Sequence, residues 1–471
     1  MNWRTILASL KSGDMRKRLL TVLGIIVVYR FLAHVPVPLA EPTQLKQVID
    51  SVLSSTDFGG FLNLLSGGAL ASFSIVLVGL GPYITASIIM QLLTKAVPKL
   101  EELHKDGESG RRKINQWTRM VALPLAIVQS VAFIFILRQT VLAGNTAVLG
   151  DTSMIEWIVA VTAMTAGSML LMWLGELITE QGVGNGISLL IFAGIISQLP
   201  QMLASLGTSL FEVPTEAAKL HIFNWAALPI NAVAFYVLLA VSLISLTVLY
   251  ILVKINEAQR VITINYAKRV QGNSAYGGVS SILPVKLITA GVIPVIFAVA
   301  FLALPAFIGQ LLKATGNADY ATLANNLIAW FEAPQPGAFT GADPGSFVYP
   351  ICYFLLVVAF TYFYTGIVFN SNEIAENLQK QGGFIANVRP GEQTEKYLTM
   401  IVNRLTLFGS ITLGLIAVLP FAGEYVLAQV GVSVPNLALG GTGLLIVVSV
   451  ALEALRQINS RALMVTYDEY K

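Results

Sequence analysis

An uncharged stretch of 36 residues, from Gly59 to Thr94, constrains this chain more than any other feature of its sequence. One membrane crossing needs about 20 apolar residues, so the stretch is too long for a single helix. It is too short for two crossings joined by a solvated turn. Six glycines and Pro82 interrupt it, and a broken backbone at membrane depth is tolerated only where protein or a polar cavity surrounds it. The sequence therefore predicts a segment that enters the membrane, stops, and begins again beside a pore or binding site.

The composition is that of a polytopic helical membrane protein. Hydrophobic residues make up 55% of the chain and charged residues 12%, whereas soluble domains carry about 25% charged residues. We expect ten spans, with a half-entering segment at 59–75 before the second. The predicted spans are 19–37, 76–95, 117–138, 155–175, 183–204, 226–253, 286–310, 348–369, 405–422 and 438–457. The first follows a basic segment but has no small-residue cleavage site, so we expect it to be retained.

The distribution of positive charge predicts the orientation. Of the 29 Lys and Arg residues, 24 fall in the two terminal segments and in three alternate loops. Because cytoplasmic loops are enriched in Lys and Arg, both termini and these three loops are predicted to be cytoplasmic.

Two of these loops, 254–285 and 370–404, are long enough to suggest a function of their own. In the first, β-favouring residues flank a Gly-Asn-Ser tip, which predicts a hairpin-like projection. The second predicts a short helix capped by Ser371, a stop at Gly382 and a rigid turn that exposes Arg389. Projections of this kind indicate that a large partner docks on the cytoplasmic side.

The spans carry almost no ionisable side chains, with Arg30 as the clear interior exception. Ion-coupled transporters usually place Asp, Glu or His within the bundle. The sequence has no phosphate-binding loop, no Ser-His-Asp arrangement and no zinc-ligand spacing, and the single cysteine, Cys352, excludes an intrachain disulfide. We therefore expect no enzymatic activity, no cofactor and no metal. A secondary transporter of a small solute stays open as an alternative, because ten spans with a broken helix would suit it.

Motifs along nearly the whole chain are shared, in order, with one family of membrane proteins. They are RKRLLTVLGIIVVYRFLAHVPVP at 16–38, LLSGGALASFSIVLVGLGPYITASIIMQLLT at 64–94, GRRKINQWTRM at 110–120, WLGELITEQGVGNGISLLIFAGI at 173–195, NYAKRVQG at 265–272, AGVIPVIFA at 290–298, QKQGGFIANVRPG at 379–391 and GGTGLLIVVSVALEALRQI at 440–458. On these motifs the chain resembles the SecY family, whose members form the central subunit of the bacterial protein-conducting channel.

The resemblance implies an all-α polytopic membrane fold. Ten transmembrane helices would form two pseudo-symmetric five-helix halves around a central hourglass pore, with a short re-entrant plug helix at about 60–74. The halves would be 1–204 and 226–471, joined by an external hinge loop at 205–225.

The resemblance also implies where the working parts lie. A ring of apolar side chains at the waist of the pore would consist of Leu80, Ile84, Ile191, Ile293, Phe301 and Ile446. The plug would include Leu64, Leu65, Ser66, Gly67 and Gly68. Polar positions of a lateral gate fall on Gln91, Asn185 and Thr118. Docking positions fall on Arg260, Lys268, Arg269 and Arg389. At the tip of the first loop, Asn273 and Ser274 stand where the family often has basic residues, which weakens electrostatic docking there.

The implied function is the passage of unfolded secretory preproteins across the bacterial cytoplasmic membrane and the lateral release of transmembrane segments into lipid. A signal sequence would be recognised at the lateral gate, and the SecA motor ATPase or the ribosome would supply the driving force. The implied partners are SecE-like and SecG-like subunits, SecA, the ribosome with its rRNA, nascent chains, signal peptides and membrane lipids, with YidC and SecDF as further candidates. The thylakoid membrane is the alternative location.

Overall fold

The computed structural model of the chain is mostly helical. It describes residues 13–38, 68–69, 72–144, 154–211, 219–222, 226–266, 269–271, 274–276, 280–315, 318–334, 344–429 and 437–469.

The described residues form thirteen α-helices and seven short strands. The helices are α1 (Gly13–Leu32), α2 (Gly81–Ala96), α3 (Pro98–Lys105), α4 (Glu108–Gly144), α5 (Met154–Gln181), α6 (Gly186–Phe211), α7 (Ala232–Glu257), α8 (Ile293–Ala314), α9 (Ala318–Phe331), α10 (Val348–Val368), α11 (Ser371–Lys380), α12 (Glu392–Gln429) and α13 (Leu437–Glu469). The strands are β1 (Lys219–Ile222), β2 (Ala226–Asn231), β3 (Gln259–Tyr266), β4 (Arg269–Gln271), β5 (Ser274–Tyr276), β6 (Ser280–Lys286) and β7 (Gly383–Ile385).

Ten of these helices, all except α3, α9 and α11, lie where the ten spans are predicted. By length and composition alone, seven of them are apolar enough to cross a membrane. The other three are α1, α2 and α6. Helix α1 begins with a charged segment around Arg16, α2 has only 16 residues, and the described apolar part of α6 ends at Pro200.

Several boundaries differ from the prediction, among them those of the second, sixth and ninth spans. Helix α2 begins at Gly81 and not at residue 76, because the chain before it turns through Gly79, whose φ is +63°. Residues 226–231, which the prediction assigned to the sixth span because they are apolar, instead form β2 and pair with β1 in a hairpin. Helix α12, which contains the ninth predicted span, begins at Glu392 and not at residue 405. The helix therefore extends well beyond its apolar part.

Contacts between helices join the two halves along two lines. Within the first half, α4 packs on α2 and α5, and α5 packs on α1 and α6. Within the second half, α10 packs on α8 and α12, and α13 packs on α12 and α7. Helices α2 and α4 of the first half contact α8 of the second, which we call the front seam. Helix α6 of the first half contacts α13 and α7 of the second, which we call the back seam.

The two long loops fold together around one antiparallel sheet, the loop sheet, with strand order β6-β3-β7. Strand β3 pairs with β6 along its length and with β7 at its far end, from Ile264 to Tyr266. The buried face of the sheet, with Ile262 and Val285, packs on Leu398 at the start of α12. The predicted hairpin is confirmed by the β3–β6 and β4–β5 pairs. The sequence did not indicate that the second loop adds a strand to the first.

Helix α11 of the second loop begins and ends close to the predicted positions, with one correction at its N-terminal cap. Asn370, and not Ser371, caps α11, since the backbone N–H of Glu373 donates to Asn370 Oδ1 at 3.4 Å. The predicted stop is confirmed at Gly382, whose φ of +71° lies in the left-handed region that favours glycine.

Candidate functional site

The backbone before α2 is irregular and enclosed by protein. The N–H of Val37 donates to the carbonyl of Phe73 at 2.9 Å, and the N–H of Ile75 donates to the carbonyl of Val35 at 3.0 Å. These bonds satisfy polar backbone groups that a helix would otherwise satisfy. The end of the first span thus supports the broken start of the second.

Helix α5 covers the same segment from another side. Ser168 Oγ donates to the carbonyl of Gly79 at 2.8 Å. A Cβ at Gly167 would collide with the backbone carbonyl of Ile75, so a glycine is needed for this close approach. Together these contacts show that the described broken backbone just before α2 is buried in protein, which is one of the two surroundings that the sequence analysis allows.

The predicted plug lies mostly outside the described residues. Leu64, Leu65, Ser66 and Gly67 fall there. Gly68 is described, is half-buried and has a φ of +87°, which marks a turn that a helix interior would not contain.

Five of the six predicted ring residues belong to one apolar cluster that draws on both halves. Leu80, Ile84, Ile191 and Ile446 are each at most 4% exposed, and Ile293 packs against them partly buried. Leu80 and Ile84 lie at the start of α2, Ile191 on α6, Ile293 at the start of α8 and Ile446 on α13. The cluster therefore lies between the front seam and the back seam.

Phe301, the sixth predicted ring residue, lies apart from the other five. It is 41% exposed and does not belong to the apolar cluster. Eight residues separate it from Ile293 on α8, which corresponds to about 12 Å along a helix. Its ring packs edge-on against Phe360 of α10, with the centroids 5.9 Å apart. Phe301 thus meets the apolar cluster at its exposed edge, through Phe360, and its place in the ring stays a prediction.

Ile187 is a further apolar residue at the edge of this cluster that the sequence analysis missed, and its Cγ1 lies beside Gly175 of α5. It lies one turn before Ile191 on α6 and packs against the same cluster. The spacing of four residues between Ile187 and Ile191 equals that between Leu80 and Ile84, and this shared periodicity could have revealed it.

The three polar residues predicted for the gate form only local hydrogen bonds among the described residues. Gln91 Nε2 donates to Ser87 Oγ at 3.0 Å, one turn back on α2. Thr118 Oγ1 donates to the carbonyl of Ile114 at 2.9 Å on α4. Both helices contribute to the front seam, but neither bond crosses it.

Asn185 occupies a different place from the other two gate positions. Its Oδ1 accepts from the backbone N–H groups of Ile187 and Ser188 at 3.1 and 3.2 Å, so it caps the start of α6. Since α6 packs on α5, α13 and α7, the structure places Asn185 toward the back seam and not at the front.

A polar contact that the sequence did not indicate crosses the back seam. The guanidinium of Arg461 on α13 packs directly on Gly182, in the turn between α5 and α6. Gly182 has a φ of +66°, and a side chain there would displace the guanidinium. Within the second half, Arg456 of α13 donates from Nη2 to the carbonyl of Asn256 on α7 at 2.6 Å and from Nη1 to Asn256 Oδ1 at 3.2 Å, so this contact does not cross the seam.

The described docking residues lie on the loop sheet and its surroundings. Arg260 on β3 and Arg389 before α12 are exposed. Arg269 belongs to β4, and Lys268 falls outside the described residues. The sheet therefore brings Arg260 and Arg389, 129 positions apart in the sequence, into one folded unit.

The loop before α4 also carries concentrated positive charge. Burial lowers the pKa of His104 on α3 below its ordinary value, and the positive charges of Arg111 and Lys95 lower it further. His104 is therefore held neutral at physiological pH, and the positive charge of this loop comes from its Lys and Arg residues.

One partly exposed ion pair joins neighbouring helices of the first half. Arg119 of α4 contacts Glu176 of α5 through two N–O pairs of 2.7 Å each, in the bidentate geometry typical of arginine and carboxylate. Over the described ranges, no group of three or more His, Cys, Asp or Glu side chains could hold a metal ion.

The sequence profile of the SecY family matches residues 74–455, which include every described ring position. A relative named protein translocase subunit SecY, from Streptomyces coelicolor, is 39% identical over 465 residues, covering 98% of each chain. The chain belongs to the SecY family.

Solved structures agree with this SecY assignment at the level of the fold. One, of a SecY protein whose plug domain stabilises the closed state of the translocation channel, has a TM-score of 0.59 at 19% identity and covers 94% of this chain and 91% of that one. Canine Sec61 in a ribosome–channel complex has a TM-score of 0.52 at 19% identity with the same coverage. The fold is thus the ten-helix SecY fold, which confirms the predicted fold class.

Proposed function

We propose that this chain is the channel-forming subunit through which unfolded preproteins cross the membrane. The observation that carries the proposal is the apolar cluster of Leu80, Ile84, Ile191, Ile293 and Ile446, built from both halves of a SecY-family fold. A chain can pass between two halves only where both contribute to one constriction, and these five side chains come from helices of both halves.

The chemistry of the ring suits a passive passage. Its five members are bulky aliphatic side chains with no hydrogen-bonding groups, so they offer a translocating chain no strong binding site. A narrow apolar constriction also loses its water when empty, which blocks ions without a charged filter.

The front seam is the proposed lateral exit for apolar segments. Helices α2 and α4 contact α8 there, and the polar side chains of Gln91 and Thr118 form their hydrogen bonds within their own helices. Parting this seam therefore breaks none of these bonds. A signal sequence would bind between α2 and α8, and the segment at 60–74 would act as a plug that moves aside.

The loop sheet is the proposed dock for a driving partner on the cytoplasmic side. Arg260 and Arg389 expose their charge on one folded unit, which suits rRNA phosphates or the acidic surface of a SecA motor. The structure of canine Sec61 was determined in a ribosome–channel complex, which supports a ribosome as a partner here. SecE-like and SecG-like subunits would complete the channel in the bacterial cytoplasmic membrane, with both termini cytoplasmic.

Crosslinking to a stalled precursor tests this function. Cys352 is first replaced by serine, and a single cysteine then replaces Ile84 or Ile293 in the reconstituted channel. We expect a secretory precursor stalled in transit to crosslink at both ring positions. A cysteine at Leu246, which is 63% exposed on α7, serves as a control that faces away from the cluster. If the precursor reacts at Leu246 and not at the ring, the channel proposal is wrong.

A small-solute transporter would give a different result in the same vesicles. It would take up solute without any motor or ribosome, and its ring cysteines would not react with a precursor. No described observation favours this alternative, and the SecY family membership argues against it.

A further inference from the structure

A charged cluster lies where the loop sheet joins α8. It consists of Lys286 at the end of β6 and of Glu453 and Arg456 on α13. Partial desolvation lowers the pKa of Lys286, and the charge of Arg456 lowers it further, whereas Glu453 opposes both effects. All three side chains are therefore within electrostatic range of one another. The channel function proposed above uses none of them.

Lys286 is fixed to the base of the loop sheet. It pairs with Gln259 at the first position of β3. The next residue, Leu287, donates its N–H to the carbonyl of Ala258 at 2.9 Å and closes the base of the strand pair. Thr289 Oγ1 donates to the carbonyl of Lys286 at 3.1 Å. A movement of the sheet therefore moves the backbone of Lys286.

The connection from Lys286 to α8 is short and packed. Ile288, Ala290 and Val292 are 8%, 2% and 1% exposed. A Cβ at Gly409 of α12 would lie 2.6 Å from the carbonyl oxygen of Leu287, so α12 presses directly on this segment. A closely packed connector has little room to absorb a displacement, and a shift at the base of the sheet is passed on to the first turn of α8.

Glu453 lies beside the last turn of this connector. Its Oε2 is 3.7 Å from the Cβ position of Gly291, which has a φ of +64° and comes two residues before the ring residue Ile293. Among the described residues Glu453 forms no close ion pair. The electrostatic attraction of Glu453 to Lys286 and Arg456 thus acts over a longer range, and its energy falls only as the inverse of the distance between the charges. Such a force persists through small displacements that would break a hydrogen bond.

The other cation of the cluster is anchored independently. Arg456 donates to both the carbonyl and the Oδ1 of Asn256 at the end of α7. The cluster therefore connects the sheet, α7 and α13 at the start of α8. Lys286 is exposed, and Glu453 and Arg456 are half-buried. Partly desolvated charges contribute little net stability, and their best-attested use is to select one arrangement of packed elements.

We propose that Glu453, with Lys286 and Arg456, is a positioning residue that sets the resting place of α8 relative to the first half, and so couples the loop sheet to the front seam. This inference rests on the proposed function in taking the front seam as the exit. Docking on the sheet would displace Lys286 within the field of Glu453, and α8 would follow.

Distances across the front seam test the coupling in the purified full chain. In a background with Cys352 replaced by serine, spin labels are attached at Leu92 of α2 and Ile308 of α8, which are 39% and 50% exposed. We expect E453Q to shift the mean distance between the labels by about 2 Å, the scale of helix shifts at packed interfaces. E453D keeps the negative charge, so this variant should show the parental distance between the labels.

Two further variants keep the test decisive. E257Q removes an exposed carboxylate next to Asn256 and should leave the distances unchanged. K286Q removes the opposite charge of the cluster and should shift the distance even if E453Q does not fold. If K286Q keeps the parental distance between the labels, and E453Q keeps it too where it folds, the proposed coupling is wrong. Because no precursor is needed, this result is independent of the crosslinking test of the channel function.

Discussion

The two seams between the halves use polar side chains in different ways. At the front seam, Gln91 and Thr118 form their hydrogen bonds within α2 and α4. At the back seam, Arg461 of α13 packs on Gly182 of the first half, and within the second half Arg456 holds α13 on Asn256 of α7. A seam whose hydrogen bonds lie within single helices can part without breaking them, whereas a contact that crosses a seam is lost when the seam parts. This contrast suggests that the halves hinge at the back and open at the front.

The largest effect is expected at Arg456. In R456Q the shorter amide cannot form both hydrogen bonds, so the buried Asn256 loses its partners. We expect a loss of about 2–3 kcal/mol in the free energy of unfolding, since bonds to charged groups are strong and an unpaired buried group is costly. The midpoint of unfolding of the purified protein measures this loss. R389Q, at an exposed arginine, should change stability by less than about 0.5 kcal/mol. Equal effects at the two arginines would show that Arg456 does not hold α13 on α7, the two helices on which the second half's side of the back seam is built.

A smaller loss is expected at Gly182. G182A introduces a side chain at a φ of +66° and displaces the guanidinium of Arg461. A non-glycine residue in the left-handed region costs about 1–3 kcal/mol, and we expect the lower part of that range because the arginine can move. The matched control is G366A in α10, where no atom lies within 4 Å of the added Cβ.

G366A should be neutral or slightly stabilising, since alanine favours a helix interior by about 0.5–1 kcal/mol. Comparing the unfolding midpoints of the two alanine variants isolates the effect of the contact across the back seam. If G182A were as stable as G366A, the Arg461 contact would contribute nothing to that seam.

The smallest effect, and one of opposite sign, is expected at Gln91. Its Oε1 is buried without a hydrogen-bond partner in the described part of the chain. Q91L removes this unpaired oxygen and a bond that lies within one helix, so it should be neutral or stabilise the chain by up to about 1 kcal/mol. The unfolding midpoint again gives the measurement. A clear loss of stability would show that Gln91 bonds across the front seam in solution and would remove the contrast between the seams.

Local patterns in the sequence predicted local structure well. Apolar runs located ten helices, and the glycines of the uncharged stretch located the broken backbone before α2. Gly382 marked the end of α11. The same reasoning failed where neighbours far away in the chain decided the outcome. Residues 226–231 are apolar enough for a helix, yet they pair with β1. Helix α9 was also missed.

The candidate site shows the same difference between positions fixed by local sequence and positions fixed by helix packing. Five of the six predicted ring residues lie in one apolar cluster, because each motif fixes its residue within a helix. Phe301 is the most exposed of the six and meets the cluster through Phe360, and the pore ring itself stays a prediction. Gln91, Thr118 and Asn185 were grouped as gate residues, but the packing of α6 takes Asn185 toward the back seam. Whether 60–74 moves as a plug stays a prediction.

Hydropathy and charge by themselves determined that this chain is a multi-span membrane protein with a broken second helix and basic loops, because these properties depend on residues close together in the sequence. Only the tertiary structure decided that two loops share one sheet, that Arg456 meets Asn256 across 200 positions, and that Arg461 packs on Gly182. Such contacts depend on how the helices pack, and packing selects among many partners that a sequence offers equally. The two seams therefore could not be told apart until the halves were seen together.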